Sequence, residues 1–216
     1  MYEAIERGTA PWYKHHLVPT WIPAMPDVQR RLEDGGTACD VGCGGGLAAI
    51  TIARAFPRAT VVGYDIHPGS VERARRNAEE AGVADRVTFE VGGEDSLPEG
   101  TFDFVTTFDV VHDSVDPVGL MAAIRRSLAD GGTYLCLEMN ASGDVDENVN
   151  PLGRLLYSVS TLYCMTTSLA HGGAGIGACM GQHKAEELAE ESGFGHFRKL
   201  PIEDPFSVLY ELKAQL

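Results

Sequence analysis

Two groups of residues have the types and spacing that binding or catalysis requires. In the first, TACDVGCGGG (Thr37 to Gly46), three glycines follow a short apolar run, and Asp65 ends the next apolar run, TVVGYD. Glycine allows a sharp turn and lets a ligand approach the backbone without a Cβ in the way. A carboxylate at Asp65 can accept hydrogen bonds from both hydroxyls of a ribose. This pattern is typical of half of a nucleotide-binding α/β sheet.

The second group is FDVVHDSVDP, in which His112 and Asp113 follow a run rich in β-branched residues. An imidazole titrates near neutral pH and can take the proton of a hydroxyl nucleophile. Glu138, near the end of the apolar run TYLCLEM, lies where a supporting acid would serve. Three other roles remain open: His112 as a hydrogen-bonding partner of the next helix, Asp113 as the cap of the following turn, and Glu138 as a polar strand end.

Strands and helices alternate along the chain, which predicts a doubly wound α/β sheet. The predicted strands are 38–41, 60–65, 86–91, 101–111 and 133–139, and the predicted helices are 26–33, 47–56, 70–81, 117–128 and 184–192. Ligands of such sheets bind beyond the carboxyl ends of the strands. The glycine turn, His112 and Glu138 are therefore expected on one rim.

The spacing D-V-G-C-G-x-G resembles the first motif of the class I S-adenosylmethionine (SAM)-dependent methyltransferases. A dinucleotide motif would need glycine at Leu47, and a P-loop would need Gly-Lys-Ser/Thr. The stretch FDVVHDSVDP is similar to V-L-H-D-W-x-D of small-molecule O-methyltransferases, in many of which the His is the base. Here Ser114 replaces the Trp, and Asp116 keeps the later acidic position. The resemblance, from about Thr37 to Lys213, implies a mostly parallel seven-stranded Rossmann-like sheet whose edge is an antiparallel hairpin, HFRKLPI and FSVLYEL.

The resemblance also implies SAM as the cofactor and S-adenosyl-L-homocysteine as its product. The expected cofactor contacts are Asp40, Gly42, Cys43, Gly44, Gly46, Asp65, Ile66, Glu94, Asp95, Phe108 and Asp109. In the family pattern G-D-A-x-x-L-P the adenine-binding Asp aligns with Gly93, so Glu94 or Asp95 is expected in that role, and a solvated acidic loop is the alternative. The expected catalytic residues are His112, Asp113 and Glu138. No metal ligands are predicted, although Asn140 and nearby acids offer oxygen atoms.

The chain is expected to divide into three parts. Residues 1–36 would form an N-terminal helical arm or cap, and residues 37–216 the SAM-binding domain. Residues 141–181, with an apolar helix and the glycine run HGGAGIGACMG, would form an inserted lid. A core helix covering the sheet is the alternative for this insert, and the two roles are compatible.

Composition limits the possible functions. The net charge of −14 argues against a nucleic-acid substrate, which requires clustered Lys and Arg. Five cysteines without a C-x-x-C pair favour buried thiols over disulfides or zinc, and a cytoplasmic location. No stretch is apolar enough to span a membrane and no signal peptide opens the chain. A homodimer is left open.

The sequence therefore predicts a SAM-dependent methyltransferase acting on a small molecule, at a hydroxyl of a secondary metabolite. The alternatives are N- or C-methylation, another reaction in the same pocket, and a SAM-binding regulatory protein without turnover.

Overall fold

The computed structural model describes residues 8–215, which form a single mixed sheet with helices on both faces. The strands are β1 (Thr37–Val41), β2 (Thr60–Asp65), β3 (Val87–Val91), β4 (Phe102–Phe108), β5 (Leu128–Met139), β6 (His196–Lys199) and β7 (Ser207–Lys213). The helices are α1 (Tyr13–Trp21, π-helical), α2 (Pro26–Glu33), α3 (Leu47–Ala55), α4 (Pro68–Ala81), α5 (Pro117–Ser127), α6 (Pro151–Val159), α7 (Met165–Ala170) and α8 (Gly181–Glu191).

The strand order is β3-β2-β1-β4-β5-β7-β6. The first five strands are parallel, and β7 runs antiparallel to both β5 and β6. This confirms the predicted seven-stranded sheet with its antiparallel edge hairpin. The chain reverses its direction across the sheet between β1 and β4, and a crevice for ligands opens at such a point.

Local signals set most of the element ends. Pro68 occupies the first turn of α4, and Gly82 ends that helix in the left-handed conformation. Asp116 Oδ1 accepts a hydrogen bond from Gly119 N (2.8 Å) and caps α5, as the sequence predicts. The bounds of β5 were predicted wrongly, because the chain leaves α5 directly in an extended conformation and Leu128 already pairs with Phe102.

The two faces of the sheet are covered by different helices. Helices α1 to α4 pack on one face, where Trp21 and Ile52 are among the fully buried side chains. Helices α5 and α8 cover the other face through residues such as Ile124 and Leu188. Because both faces are covered, the central parallel strands β1 and β4 are almost continuously buried, which explains their apolar runs.

Between β5 and α8 lies a long helical insert. Helix α6, a π-helical stretch (Ser160–Cys164) and α7 follow one another without a break and are called the insert helix below. Four of its five buried positions, Leu156, Ser160, Cys164 and Ser168, recur every four residues and face the body of the protein. The insert helix therefore turns one face to the body, and this inner face meets the turn after β4.

Candidate active site

The glycine turn connects β1 to α3 at the crevice. Gly42, Gly44 and Gly46 have φ values of +74°, +53° and +76°, a region that side chains with a Cβ rarely adopt. A Cβ on Gly42 would lie 2.6 Å from Val110, and one on Gly46 would lie 2.5 Å from Phe89. A Cβ on Gly44 would meet nothing within 4 Å. The outer glycines are therefore required by packing, and Gly44 borders open space.

Asp65 holds this turn in place from the end of β2. Its Oδ2 accepts a hydrogen bond from Gly44 N (2.9 Å) and its Oδ1 accepts one from His67 N (2.8 Å). Each carboxylate oxygen keeps a second lone pair, so Asp65 can still accept hydrogen bonds from a ligand. The sequence predicts the ligand contact but not the backbone contacts.

Two residues of the motif lie beneath the turn. Asp40 is buried, and Thr106 Oγ1 donates a hydrogen bond to its Oδ1 (2.9 Å). Burial raises the pKa of Asp40 to about 7. Cys43 is buried too, and a Cβ built on Gly63 would lie 2.9 Å from its Sγ, so the thiol packs inward. Burial also raises the pKa of Cys43.

The next strand ends offer an apolar and an acidic surface. The Ile66 side chain is 67% exposed beside Asp65 and offers an apolar surface at the end of β2. Glu94 and Asp95 form a short 3₁₀ turn after β3 and are both exposed. No hydrogen bond to either side chain is formed within residues 8–215, so both are available to a ligand or to water.

His112 lies in a 3₁₀ turn directly after β4 and is almost completely buried. Its Nδ1 hydrogen-bonds to Glu138 Oε2 on the neighbouring strand β5. Glu138 Oε1 accepts a second hydrogen bond from Val111 N (3.1 Å). Glu138 therefore orients the imidazole and the backbone that carries it.

The other ring nitrogen of His112 faces a second carboxylate and a thiol. Asp113 Oδ1 lies 3.1 Å from Nε2 without hydrogen-bond alignment, and it has no hydrogen-bond partner among the described residues. Cys164 of the insert helix approaches the same ring. Burial by itself would lower the pKa of His112, but Glu138 and Asp113 outweigh it and hold the pKa well above its usual value.

Phe108 is the last residue of β4, and Asp109 follows it. Phe108 contacts the N-terminal arm, with its ring 5.0 Å from that of Tyr13 and 6.0 Å from that of Trp21. Asp109 has a φ of +56°, and its Oδ1 is buried without a hydrogen-bond partner in the described part of the chain. Burial raises the pKa of Asp109 to about 7. A strained residue with an unpaired buried oxygen points to a functional position.

Comparison with known proteins identifies the fold and the family. Residues 32–206 match the family model described as a methyltransferase domain. The chain belongs to this methyltransferase family. SAM is the cofactor of the methyltransferase, as the motif predicts.

The proteins that the chain matches carry different names. Ribosomal protein L11 methyltransferase of Burkholderia mallei is 31% identical over 138 residues, which cover 64% of this chain and 43% of the relative. An O-methyltransferase family protein from Burkholderia thailandensis is similar in structure, with a TM-score of 0.73 at 16% identity over 99% of this chain and 58% of that one.

A further solved structure was obtained with bound ligands. This O-methyltransferase from neocarzinostatin biosynthesis, in complex with S-adenosyl-L-homocysteine and 1,4-dihydroxy-2-naphthoic acid, has a TM-score of 0.62 at 21% identity, over 85% of this chain and 50% of that one. The methyltransferase therefore spans about half the length of the relatives it matches. The structural likenesses, at such low identity, show the fold alone.

The residues of the methyltransferase fit SAM. Gly44 leaves open space above the turn, and Asp65 and the exposed Ile66 offer a carboxylate beside an apolar surface. The unpaired oxygen of Asp109 suits a positively charged ligand such as the sulfonium. The individual cofactor contacts remain predictions.

Among the described residues, two sets of side chains could also hold a metal ion, and both include His112. One is His112, Asp113 and Cys164, and the other is Asp109, His112 and Glu138. The predicted metal independence of the methyltransferase stays a prediction. Among residues 8–215, no helix has the length and hydropathy needed to cross a bilayer.

Sequence reasoning missed how the insert contacts the site. Gly177 N donates to His112 O (3.2 Å), Ser168 Oγ to Ser114 O (2.8 Å) and Ala174 N to Val115 O (3.1 Å). The only signal in the sequence was the polar Ser, Cys and Ser at four-residue spacing in an apolar helix. These contacts place the insert directly over His112.

Proposed function

We propose that the methyltransferase methylates a hydroxyl group of a small molecule and that His112 is the general base. The observation that carries this proposal is the hydrogen bond between Glu138 and His112 Nδ1, because it makes Nε2, which faces Asp113 and Cys164, the nitrogen that takes the acceptor's proton. Hydroxyl acceptors must lose a proton during methylation, whereas neutral amines and carbanions need no such base. A buried imidazole held by a carboxylate therefore favours oxygen as the methylated atom.

Bound SAM supplies an activated methyl group, which is transferred in line to the nucleophile. The residues of this chain have to bind the cofactor, orient the acceptor and remove the proton of its hydroxyl group. The glycine turn, Asp65 and Ile66 would hold the cofactor, with Glu94 or Asp95 at the adenine. His112 would accept the hydroxyl proton at Nε2, and Glu138 would stabilise the resulting imidazolium.

The acceptor needs a path to His112, which is only 2% exposed. The insert covers the ring through Cys164 and through the bond from Gly177 N to His112 O. The glycine run 172–177 has three residues at positive φ, Gly172, Gly175 and Gly177, which gives the segment unusual backbone freedom. We infer that the insert acts as a lid that moves to admit a small acceptor and then excludes water.

A second candidate is methylation of a protein, favoured by the relatives named ribosomal protein L11 methyltransferase. The test is a methyl-transfer assay by mass spectrometry with a panel of phenols, small amines and ribosomal protein. Product from phenols that falls about 10²–10⁴-fold in His112→Ala, with unchanged S-adenosyl-L-homocysteine affinity, supports the proposal.

The same assay separates the alternatives. Product from amines or from ribosomal protein alone, at the same rate in His112→Ala, contradicts O-methylation. Cofactor binding with no product from any acceptor favours the regulatory role. Turnover is expected to survive EDTA, and its loss would instead favour one of the two candidate metal sets.

A further inference from the structure

We infer that the outer face of the insert helix is a dimerisation surface that binds a second copy of this chain. The inference does not depend on the proposed reaction, because self-association is measured without substrate.

The first observation is a concentration of exposed apolar side chains. Six of the ten large hydrophobic residues that are exposed within residues 8–215 lie between 145 and 169: Val145, Val149, Leu155, Val159, Leu162 and Leu169. Leu162, in the middle of the insert helix, is 79% exposed. Scattered exposed apolar residues are ordinary, but a contiguous group of them marks an interaction site.

The second observation is the spacing of these residues. The exposed positions Leu155, Val159, Leu162, Thr166 and Leu169 follow one another at intervals of four, three, four and three residues. The alternation of four and three residues is that of a heptad, although the π-helical turn Ser160–Cys164 departs from regular heptad geometry; these solvent-exposed positions are called the heptad face below. The buried positions of the same helix follow a different row, so the heptad face is not needed to hold the insert on the body.

The third observation is the distribution of charge. The chain has 31 acidic residues and a net charge of −14, yet no Asp or Glu occurs between residues 148 and 185. Depletion of charged residues is typical of the core of an interface. Two copies with this net charge repel each other over most of their surface. The insert helix carries no Asp or Glu, so two copies can meet there with few like charges opposed, although Asp144, Asp146 and Glu147 border the group at Val145.

The face is also complementary to itself. A two-fold axis at Leu162, with the two insert helices antiparallel, places Leu162 against the partner's Leu162 and Leu155 against the partner's Leu169. The groove of about 690 Å³ beside the helix, lined by Val145, Val149, Tyr157 and Leu162, can receive side chains of the partner. The groove and the exposed side chains that would enter it both belong to the insert, as a symmetric interface requires.

The size of the face predicts a reversible dimer. From Leu155 to Leu169 the helix is about 21 Å long and about 10–12 Å wide. A helix face of these dimensions buries less than the roughly 800 Å² per partner of a standard stable interface. The dimer is therefore expected to dissociate on dilution.

The first test is sedimentation velocity of the full chain across a wide concentration range. We expect wild type to shift from monomer to dimer as concentration rises, and Leu162→Glu to remain monomeric. The matched control is Val91→Glu, an exposed apolar residue on the edge strand β3, which should dimerise like wild type. A wild type that is monomeric throughout, or a dimer that persists in Leu162→Glu, would overturn the inference.

Disulfide cross-linking tests the two-fold axis directly. Leu162→Cys should form a covalent dimer with itself under mild oxidation, above the wild-type background from the partly exposed Cys179. Leu155→Cys should cross-link with Leu169→Cys in a mixture but poorly with itself. Equal self-cross-linking at 155 and 162 contradicts the antiparallel arrangement. If phosphatidylcholine vesicles bind wild type but not Leu162→Glu, a lipid surface and not a second copy covers the face.

Discussion

Glu138 hydrogen-bonds to Nδ1 of His112 across the carboxyl ends of β5 and β4, although the two residues are 26 positions apart in sequence. The bond sets the tautomer of the neutral ring, because Nδ1 carries the hydrogen donated to the carboxylate and Nε2 is left as the acceptor. An oriented imidazole of this kind is what a general base for a hydroxyl requires.

The first prediction concerns Glu138→Gln. A glutamine keeps the acceptor for Val111 N but presents an amide N–H to Nδ1, which moves the ring hydrogen to Nε2 and removes the basic site. Turnover should fall about 10³–10⁴-fold, by analogy with the tautomer effect in the serine protease triad. Stopped or discontinuous assays of kcat would measure it.

The control for this prediction is cofactor affinity. Calorimetric titration with S-adenosyl-L-homocysteine should give wild-type affinity in Glu138→Gln, because Glu138 contacts His112 and Val111 and none of the glycine turn. A variant with normal turnover would remove His112 from the role of base.

The second prediction is a pH profile. The pKa of His112 is raised, and the groups facing the ring are Glu138, Asp113, Asp109 and Cys164. The charged ring therefore persists to higher pH, and the neutral base is lost as pH falls through the raised pKa. In a plot of kcat against pH, the midpoint of the acid limb should therefore lie above pH 6.5, the approximate pKa of an unperturbed histidine.

Replacing Asp113 tests the assignment of that limb. Asp113→Asn removes one of the carboxylates that raise the pKa of His112, so the limb should move to lower pH. Asp109, whose pKa is about 7, offers a rival origin. A limb that moves in Asp109→Asn but not in Asp113→Asn would assign it to Asp109 instead.

The third prediction separates two glycines of the same turn. Both Gly44→Ala and Gly46→Ala force an alanine into the left-handed region, at a cost of roughly 1–2 kcal/mol. Only Gly46→Ala also pushes a methyl group into Phe89, which adds roughly 1–3 kcal/mol of overpacking. At about 2–4 °C per kcal/mol in a domain of this size, Gly46→Ala should melt several degrees lower.

Cofactor affinity should rank these two variants differently. Gly44→Ala puts its methyl group into the open space expected to hold the ligand. Relative to the drop in melting temperature of each variant, calorimetry should therefore show a larger loss of S-adenosyl-L-homocysteine affinity for Gly44→Ala than for Gly46→Ala. Normal S-adenosyl-L-homocysteine binding by Gly44→Ala would show that the ligand does not approach this turn.

The fourth prediction concerns Asp65→Asn. The substitution weakens the acceptors for Gly44 N and His67 N and the expected contact with the ribose. Loss of charge-assisted hydrogen bonds costs roughly 1.5–3 kcal/mol, or about a tenfold to hundredfold loss of affinity. Titration with S-adenosyl-L-homocysteine measures it, with the exposed Asp85→Asn as the matched control. Equal affinity in the two variants would remove Asp65 from the site.

Local chemistry explains why much of the fold and of the cofactor site could be predicted. Each of these features depends on a few adjacent residues and acts through backbone conformation or near neighbours. They are the glycine turn, Asp65 at the end of β2 and the capping pair Asp116-Pro117. Their positions therefore follow from spacing. The start of β5 at Leu128 was missed because the pairing of Leu128 with Phe102 depends on a strand far away in sequence.

The sequence by itself determined the family and the cofactor, and it predicted the rim on which the site residues lie, because parallel strands joined by helices place all their carboxyl ends together. Only the tertiary structure decided what each rim residue touches. Glu138 reaches His112, Asp113 faces the other nitrogen, and Cys164 closes over the ring from the insert. Such contacts depend on side-chain directions across separate elements, and spacing along the chain carries no record of them.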